Sequence, residues 1–221
     1  MRLPSLMMLA LAVAACDGSA AASVASDPSP ETPSERTATA RTTQGVAAAN
    51  VGDSAPSFEL RDSTGTVHRL ADYRGKIVVL EWTSPECPFV RRHYGHDTDM
   101  VHTAGALTGD DVVWLAIDSS HFNAPADSES WRARHSIPYP VLQDRDGAVG
   151  RRYGARTTPH MYVIDASGVL RYQGAIDSDP RGREDAPTNY VRGAVEALRA
   201  GRPVPRAETA PYGCTVKYGS S

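Results

Sequence analysis

The stretch Ile77-Val-Val-Leu-Glu-Trp-Thr-Ser-Pro-Glu-Cys87-Pro-Phe-Val90 constrains the fold more than any other part of the chain. Its apolar, β-branched first half predicts a buried strand, and the Ser84-Pro85 step closes that strand with a turn. Cys87 then precedes a proline suited to the first position of a helix. A sulfur at such a junction meets unpaired N–H groups and the positive end of the helix dipole, which favour thiolate over thiol. The thiolate is the reactive form, so Cys87 is a candidate nucleophile by position. The alternative is a buried cysteine that packs as a small hydrophobe.

From Val51 onward strand-like and helix-like segments alternate. Ser57–Leu60 and Val67–Leu70 flank a turn at Asp62–Gly65 and predict a hairpin. Asp111–Ile117 predicts a second buried strand, and Pro140–Leu142 a short extended piece. Helical tendency runs from Pro88 to about Leu107 with an interruption near Gly95, and again over Pro125–His135 and Gly147–Tyr153. Met161–Ile164 and Val169–Tyr172 predict a hairpin, followed by an amphipathic helix over Asn189–Ala200. The order predicts an α/β sandwich: a mixed central sheet flanked by helices, with an N-terminal β-hairpin extension.

The first residues read as a targeting segment. Met1-Arg2 and the apolar Leu3–Ala15 match a signal-peptide core too short to span a bilayer comfortably. The run Leu11-Ala-Val-Ala-Ala-Cys16 resembles the bacterial lipobox, which implies lipidation of Cys16; an ordinary secretory signal that leaves Cys16 incidental is the alternative. Residues 17–50 contain no aromatic side chain and are mostly Ala, Ser, Thr and Pro, a composition that cannot bury enough apolar surface to order itself. The expected organisation is a signal peptide at 1–15, a lipidated flexible linker at 16–50, a folded domain at 51–205 and a cysteine-containing tail at 206–221. A net charge of −3 gives no reason to expect nucleic-acid binding.

Val51-Gly-Asp-Ser-Ala-Pro-Ser-Phe-Glu-Leu60, Tyr73-Arg-Gly-Lys-Ile-Val-Val-Leu80, Pro138-Tyr-Pro-Val-Leu142 and Thr158-Pro159-His160-Met-Tyr-Val-Ile-Asp165 together resemble thioredoxin-fold proteins of the redoxin group. That group includes the alkyl hydroperoxide reductase/thiol-specific antioxidant relatives. Thioredoxins place a second cysteine three residues after the first, where this chain has Val90. Peroxiredoxins carry Pro-x-x-x-Thr/Ser-x-x-Cys; here Ser84 takes the hydroxyl position and Leu80 stands where the proline would be. The pattern Cys87-Pro88-Phe89-Val90 is similar to a peroxiredoxin-like branch with a lone thioredoxin-type cysteine.

The resemblance implies site residues one by one. Cys87 would be the nucleophile, with Ser84 as the preset hydroxyl. By local charge alone, Arg91 and Arg92 would favour the thiolate, unless both are solvated surface residues, and Glu86 would oppose it. Thr158 and Pro159 match the cis-proline loop that faces substrate, alongside Pro88 and Phe89; an ordinary trans proline is the alternative. His160 would polarise the thiol or relay a proton, or simply sit at that surface. Cys214, in the ending Pro211-Tyr-Gly-Cys-Thr-Val-Lys-Tyr218, would resolve Cys87; a static bridge or two independent thiols are the other readings.

His93, His96 and His102, with Asp97 and Asp99, crowd the helix after Cys87 but read as a solvated polar face, and no metal is expected. No cofactor is implied either. The expected activity is that of an extracytoplasmic, membrane-anchored thiol oxidoreductase acting on a protein or small-molecule disulfide or peroxide and served by an external thiol reductant. The rival reading is a non-catalytic lipoprotein of the same fold that holds copper or a partner.

Overall fold

A computed structural model describes residues 48–95 and 99–220. The predicted signal peptide, Cys16, most of the linker, His96, Asp97 and the Asp99 side chain lie outside the described residues.

The predicted strand forms as β3 (Ile77–Thr83) and is buried along its whole length, as an unbroken apolar run covered on both faces should be. It pairs in parallel with β4 (Val112–Asp118) and antiparallel with β7 (His160–Ile164). β4 runs parallel to β5 (Val141–Gln143), and β7 antiparallel to β8 (Leu170–Gly174). The N-terminal hairpin, β1 (Glu59–Asp62) and β2 (Val67–Arg69), joins the sheet through β1 against β5. Its ladder starts two residues later than the alternation at Ser57 predicts, and Asp62 belongs to β1. The Asp62 carboxylate closes the turn by accepting the N–H groups of Thr64 and Thr66 at 2.9 and 3.0 Å. The seven strands lie in the order β2-β1-β5-β4-β3-β7-β8, the mixed sheet that the segment order predicts.

The helices are α1 (Pro88–Tyr94), α2 (Asp99–Leu107), α3 (Pro125–Arg134), α4 (Ala148–Tyr153) and α5 (Tyr190–Arg199). The break between α1 and α2 falls at Gly95, as expected. Asn189 caps α5 by accepting the Arg192 N–H at 2.9 Å, a bond worth about 1 kcal/mol.

Alternation along β3 divides the core in two. Ile77 and Val79 face Val90, Tyr94, Met100, Trp131, Val191 and Val195, which come from α1, α2, α3 and α5. Val78, Leu80 and Trp82 face the other layer, where Val149 and Tyr153 of α4 meet Phe58 and Leu70. Because β3 is locked on both faces and both edges, the turn at its end is held rigidly, and that turn carries Cys87. Among the described residues no helix is long and apolar enough to cross a membrane.

Residues 206–220 do not trail away from the domain. They cross the end of the sheet, where β9 (Cys214–Thr215) pairs antiparallel with β6 (Thr157–Thr158).

Candidate active site

Cys87 occupies the N-cap of α1 in extended backbone conformation (φ −79°, ψ 122°), and Pro88 takes the first helical turn. Its N–H donates to the Ser84 carbonyl at 3.1 Å, closing the Pro85-Glu86 turn, and its carbonyl accepts the Arg91 N–H at 2.9 Å. Only 2% of Cys87 is exposed. The thiol donates to the main-chain carbonyl of Thr158 at 2.9 Å, and the Thr158–Pro159 peptide bond is cis.

The β6–β9 ladder sets Cys214 opposite Thr158, which brings the second thiol into hydrogen-bonding contact with Cys87. Both cysteines are reduced in this structure. Burial pushes the Cys87 thiol up. Hydrogen bonds from the Cys214 thiol, the Thr158 hydroxyl and the N–H groups of Val90 and Cys214 outweigh it, and the net shift is downward. Cys214 moves the other way, pushed up to about 11 by burial and by the neighbouring Cys87, with Lys217 only partly offsetting. The arrangement makes Cys87 the stronger acid and leaves Cys214 protonated beside it, ready to donate to a Cys87 thiolate.

The other expected site residues fall in different places. Ser84 is buried, and its hydroxyl accepts from Ser120 at 3.3 Å; only its carbonyl bonds to Cys87. Arg91 is exposed and clamps the turn, donating to the Pro85 carbonyl at 2.8 Å and pairing with Glu86 at 3.2 Å. The two charges expected to pull Cys87 in opposite directions are therefore engaged with each other. Phe89 is half-buried with its ring 6.2 Å from that of Tyr212, while Pro88 is exposed. His160 is buried, with Nδ1 shared between Tyr162 OH at 3.1 Å and the Arg156 N–H at 3.3 Å. Burial, assisted by the charge on Arg156, holds its pKa down near 3, so it is a neutral ring at physiological pH.

Two buried polar groups escape a reading of the sequence. His93 on α1 contacts Tyr212 OH through Nε2 at 3.0 Å, and Tyr212 donates to Asp177 at 2.5 Å. Tyr212 lies two residues before Cys214, so α1 holds both sulfurs, one through its N-cap and one through this network. The second group is Glu81, fully buried within β3, which accepts from Tyr94 OH at 2.7 Å, Trp114 Nε1 at 3.2 Å and Tyr139 OH at 3.3 Å. Burial raises its pKa to about 7 against those hydrogen bonds. Its sequence signal is plain in retrospect: one carboxylate inside an otherwise apolar strand. Among the described residues, no three His, Cys, Asp or Glu side chains are grouped as a metal site would need.

Comparison with known proteins gives this geometry a lineage. The thiol-disulfide oxidoreductase ResA of Geobacillus thermodenitrificans is 28% identical over 121 residues, spanning 55% of this chain and 67% of that one. The Mycobacterium tuberculosis protein Rv2521, named as a peroxiredoxin, is 30% identical over 132 residues, covering 58% and 78%. An uncharacterised conserved protein of Geobacillus kaustophilus has a crystal structure that superimposes with a TM-score of 0.71 at 28% identity, covering 78% of this chain and 94% of that one. Residues 51–173, from the N-terminal arm through β8 and including Cys87 and the Thr158–Pro159 loop, match the model of the AhpC/TSA family. With the thioredoxin-like sheet, the strand-to-helix cysteine and more than half of the chain inside that match, the chain belongs to the AhpC/TSA family.

Proposed function

We propose that this chain is a thiol oxidoreductase in which Cys87 attacks an electrophilic disulfide or peroxide and Cys214 resolves the product. The observation that carries the reading is the placement of Cys214 by β9 against Thr158, in contact with Cys87. With a hydroperoxide, the Cys87 thiolate forms an S–O bond, the O–O bond breaks, and the departing alkoxide takes a proton to leave as an alcohol. Cys214 then forms an S–S bond with the sulfenic sulfur and water leaves. With a disulfide, Cys87 displaces one thiolate and Cys214 displaces the second. Both routes end at a Cys87–Cys214 disulfide, two electrons oxidised, and an external dithiol returns it to two thiols. Val90 thus stands where a thioredoxin keeps its second cysteine, and the strand at 214–215 supplies a sulfur in its stead.

The asymmetry of the two thiols gives a direct test. Followed by pH-dependent alkylation, Cys87 should titrate below the ordinary cysteine value and Cys214 near 11. Cys214→Ala should raise the Cys87 pKa, because the hydrogen bond from Cys214 supports the thiolate. A Cys87 pKa at or above the ordinary value in the parent chain would refute the assignment.

The leader supports a mature protein tethered through a lipidated Cys16 on the extracytoplasmic side, where thiol pairs encounter oxidants. Cys16→Ser should move the protein from the membrane fraction to the soluble one. Retention of the variant in membranes would count against the tether.

A further inference from the structure

The segment from Thr209 to Gly219 is a fitted strap over the reactive sulfur. Upstream of Cys214, Thr209 Oγ1 accepts the Ala175 N–H at 2.9 Å and contacts Tyr172 OH at 2.7 Å, and Tyr212 is anchored on Asp177. Downstream, the Val216 N–H donates to Arg156 at 3.0 Å and Tyr218 OH to the Ala155 carbonyl at 2.7 Å. Arg151 lies over the Tyr218 ring at 4.7 Å.

The domain surface is shaped to receive it. A Cβ on Gly150 would stand 2.4 Å from Tyr218 Oη, and one on Gly174 would stand 2.2 Å from Thr209 Oγ1. Gly213 itself is the closest approach: at φ +137°, a Cβ there would lie 2.0 Å from the Thr158 carbonyl oxygen. Only glycine lets the strap run this near to the main chain that receives the Cys87 thiol.

A strand edge is a template for pairing with any extended chain until its N–H and C=O groups are taken. At Thr157–Thr158 they are taken by Cys214–Thr215 of the same molecule, and Cys87 beneath is almost fully buried. Resting on the assignment of Cys87 as nucleophile, we infer that the strap selects substrates by size: Cys87 accepts small electrophiles such as hydroperoxides and low-molecular-weight disulfides, and an extended polypeptide disulfide is excluded from the β6 edge.

Two probes that carry the same leaving group test this. One is the mixed disulfide of cysteine with thionitrobenzoate, and the other is a short extended peptide bearing that mixed disulfide on a central cysteine. In each case the Cys87 thiolate forms the new S–S bond and coloured thionitrobenzoate leaves. The reduced full chain should react with the small probe about tenfold faster or more, as the loss of paired backbone bonds implies. Gly213→Ala, which cannot seat β9 on β6, should bring the ratio of rates to about threefold or less. The ratio cancels any change in the intrinsic reactivity of Cys87. Tyr218→Ala, which frees the downstream half of the strap without touching the sulfurs, should move the ratio the same way. Equal rates for the two probes in the parent chain, or a ratio unchanged in both variants, would overturn the inference. If Cys87→Ser releases thionitrobenzoate from the small probe as fast as the parent, the fault lies in the nucleophile assignment instead.

Discussion

Serine in place of Cys87 is expected to abolish turnover with either a hydroperoxide or a small disulfide, by roughly 10^4-fold or more. The one histidine expected to act at this position, His160, is a buried ring with its pKa held near 3 and its Nδ1 already engaged by Tyr162 and the Arg156 N–H, so it is a poor base for a serine hydroxyl. Nor does a hydroxyl offer the thiol's nucleophilicity at neutral pH. Cys214→Ser should behave differently. The first attack should persist at a rate close to the parent's, because the serine hydroxyl can still donate a hydrogen bond to the Cys87 thiolate. The reaction should then stop after one turnover, with Cys87 held as a sulfenic acid or a mixed disulfide. Stopped-flow kinetics of the first and later turnovers separate the two variants. Release of both halves of a small disulfide by Cys214→Ser in the first turnover, with no external thiol present, would exclude Cys214 as the resolving residue.

Acid unfolding should be steep, and it should be governed by two histidines. His93 and His160 are buried, and burial holds each near a pKa of 3 against an ordinary value of 6.5. The unfolded chain therefore binds more protons than the native one between pH 6.5 and 3. Their contribution to stability is fully present above pH 6.5 and is lost as pH falls through the folded values. Each amounts to on the order of 3–5 kcal/mol, which together rival the whole stability of an ordinary domain. Glu81 works in the opposite sense. Its pKa is raised from 4.5 to about 7, so its contribution is complete below pH 4.5 and is lost as pH rises through 7, on the order of 3 kcal/mol. The two effects place maximal stability near pH 6.5, with a fall on each side. Thermal melts across pH 4–8 should show this shape. His93→Gln and His160→Asn, which keep a neutral acceptor in place, should each flatten the acid side by about 1.4 kcal/mol per pH unit. Glu81→Gln should remove the fall between pH 6.5 and 7 and steepen the rise between pH 4.5 and 6.5 by about 1.4 kcal/mol per pH unit. A stability curve flat between pH 4 and 6.5 would contradict the burial of both rings.

The parts of this molecule that follow from local patterning are readable in the chain itself. β3 announces itself as an unbroken apolar run, Pro88 marks the start of α1, Gly95 its end, and Asn189 the start of α5. Cys87 is legible because it sits where those local signals meet. The strap is another matter. Its pairing involves two residues on each side, too few for any alternation to show, and Thr215 is exposed while Val216 turns inward. Family resemblance implied that Cys214 would serve Cys87; only tertiary placement of Gly213 against the Thr158 carbonyl shows how it reaches the site. For the same reason His93 reads in sequence as one of a polar cluster, yet it is a buried partner of Tyr212, more than a hundred residues away. Arg91 illustrates the reverse case: its nearness to Cys87 in sequence suggests a role in activation, and the structure spends its charge on Glu86 and the Pro85 carbonyl.

If Cys87 and Cys214 act as one redox pair, oxidation of the reduced protein should join them. Treating the reduced protein with one equivalent of hydrogen peroxide or cystine, blocking free thiols, and mapping peptides without reductant tests this most directly. A cross-linked pair joining the Cys87 peptide to the Cys214 peptide is expected, and it should be absent from Cys87→Ser and Cys214→Ser. Recovery of Cys87 and Cys214 as separately alkylated thiols after both oxidants would contradict the pairing.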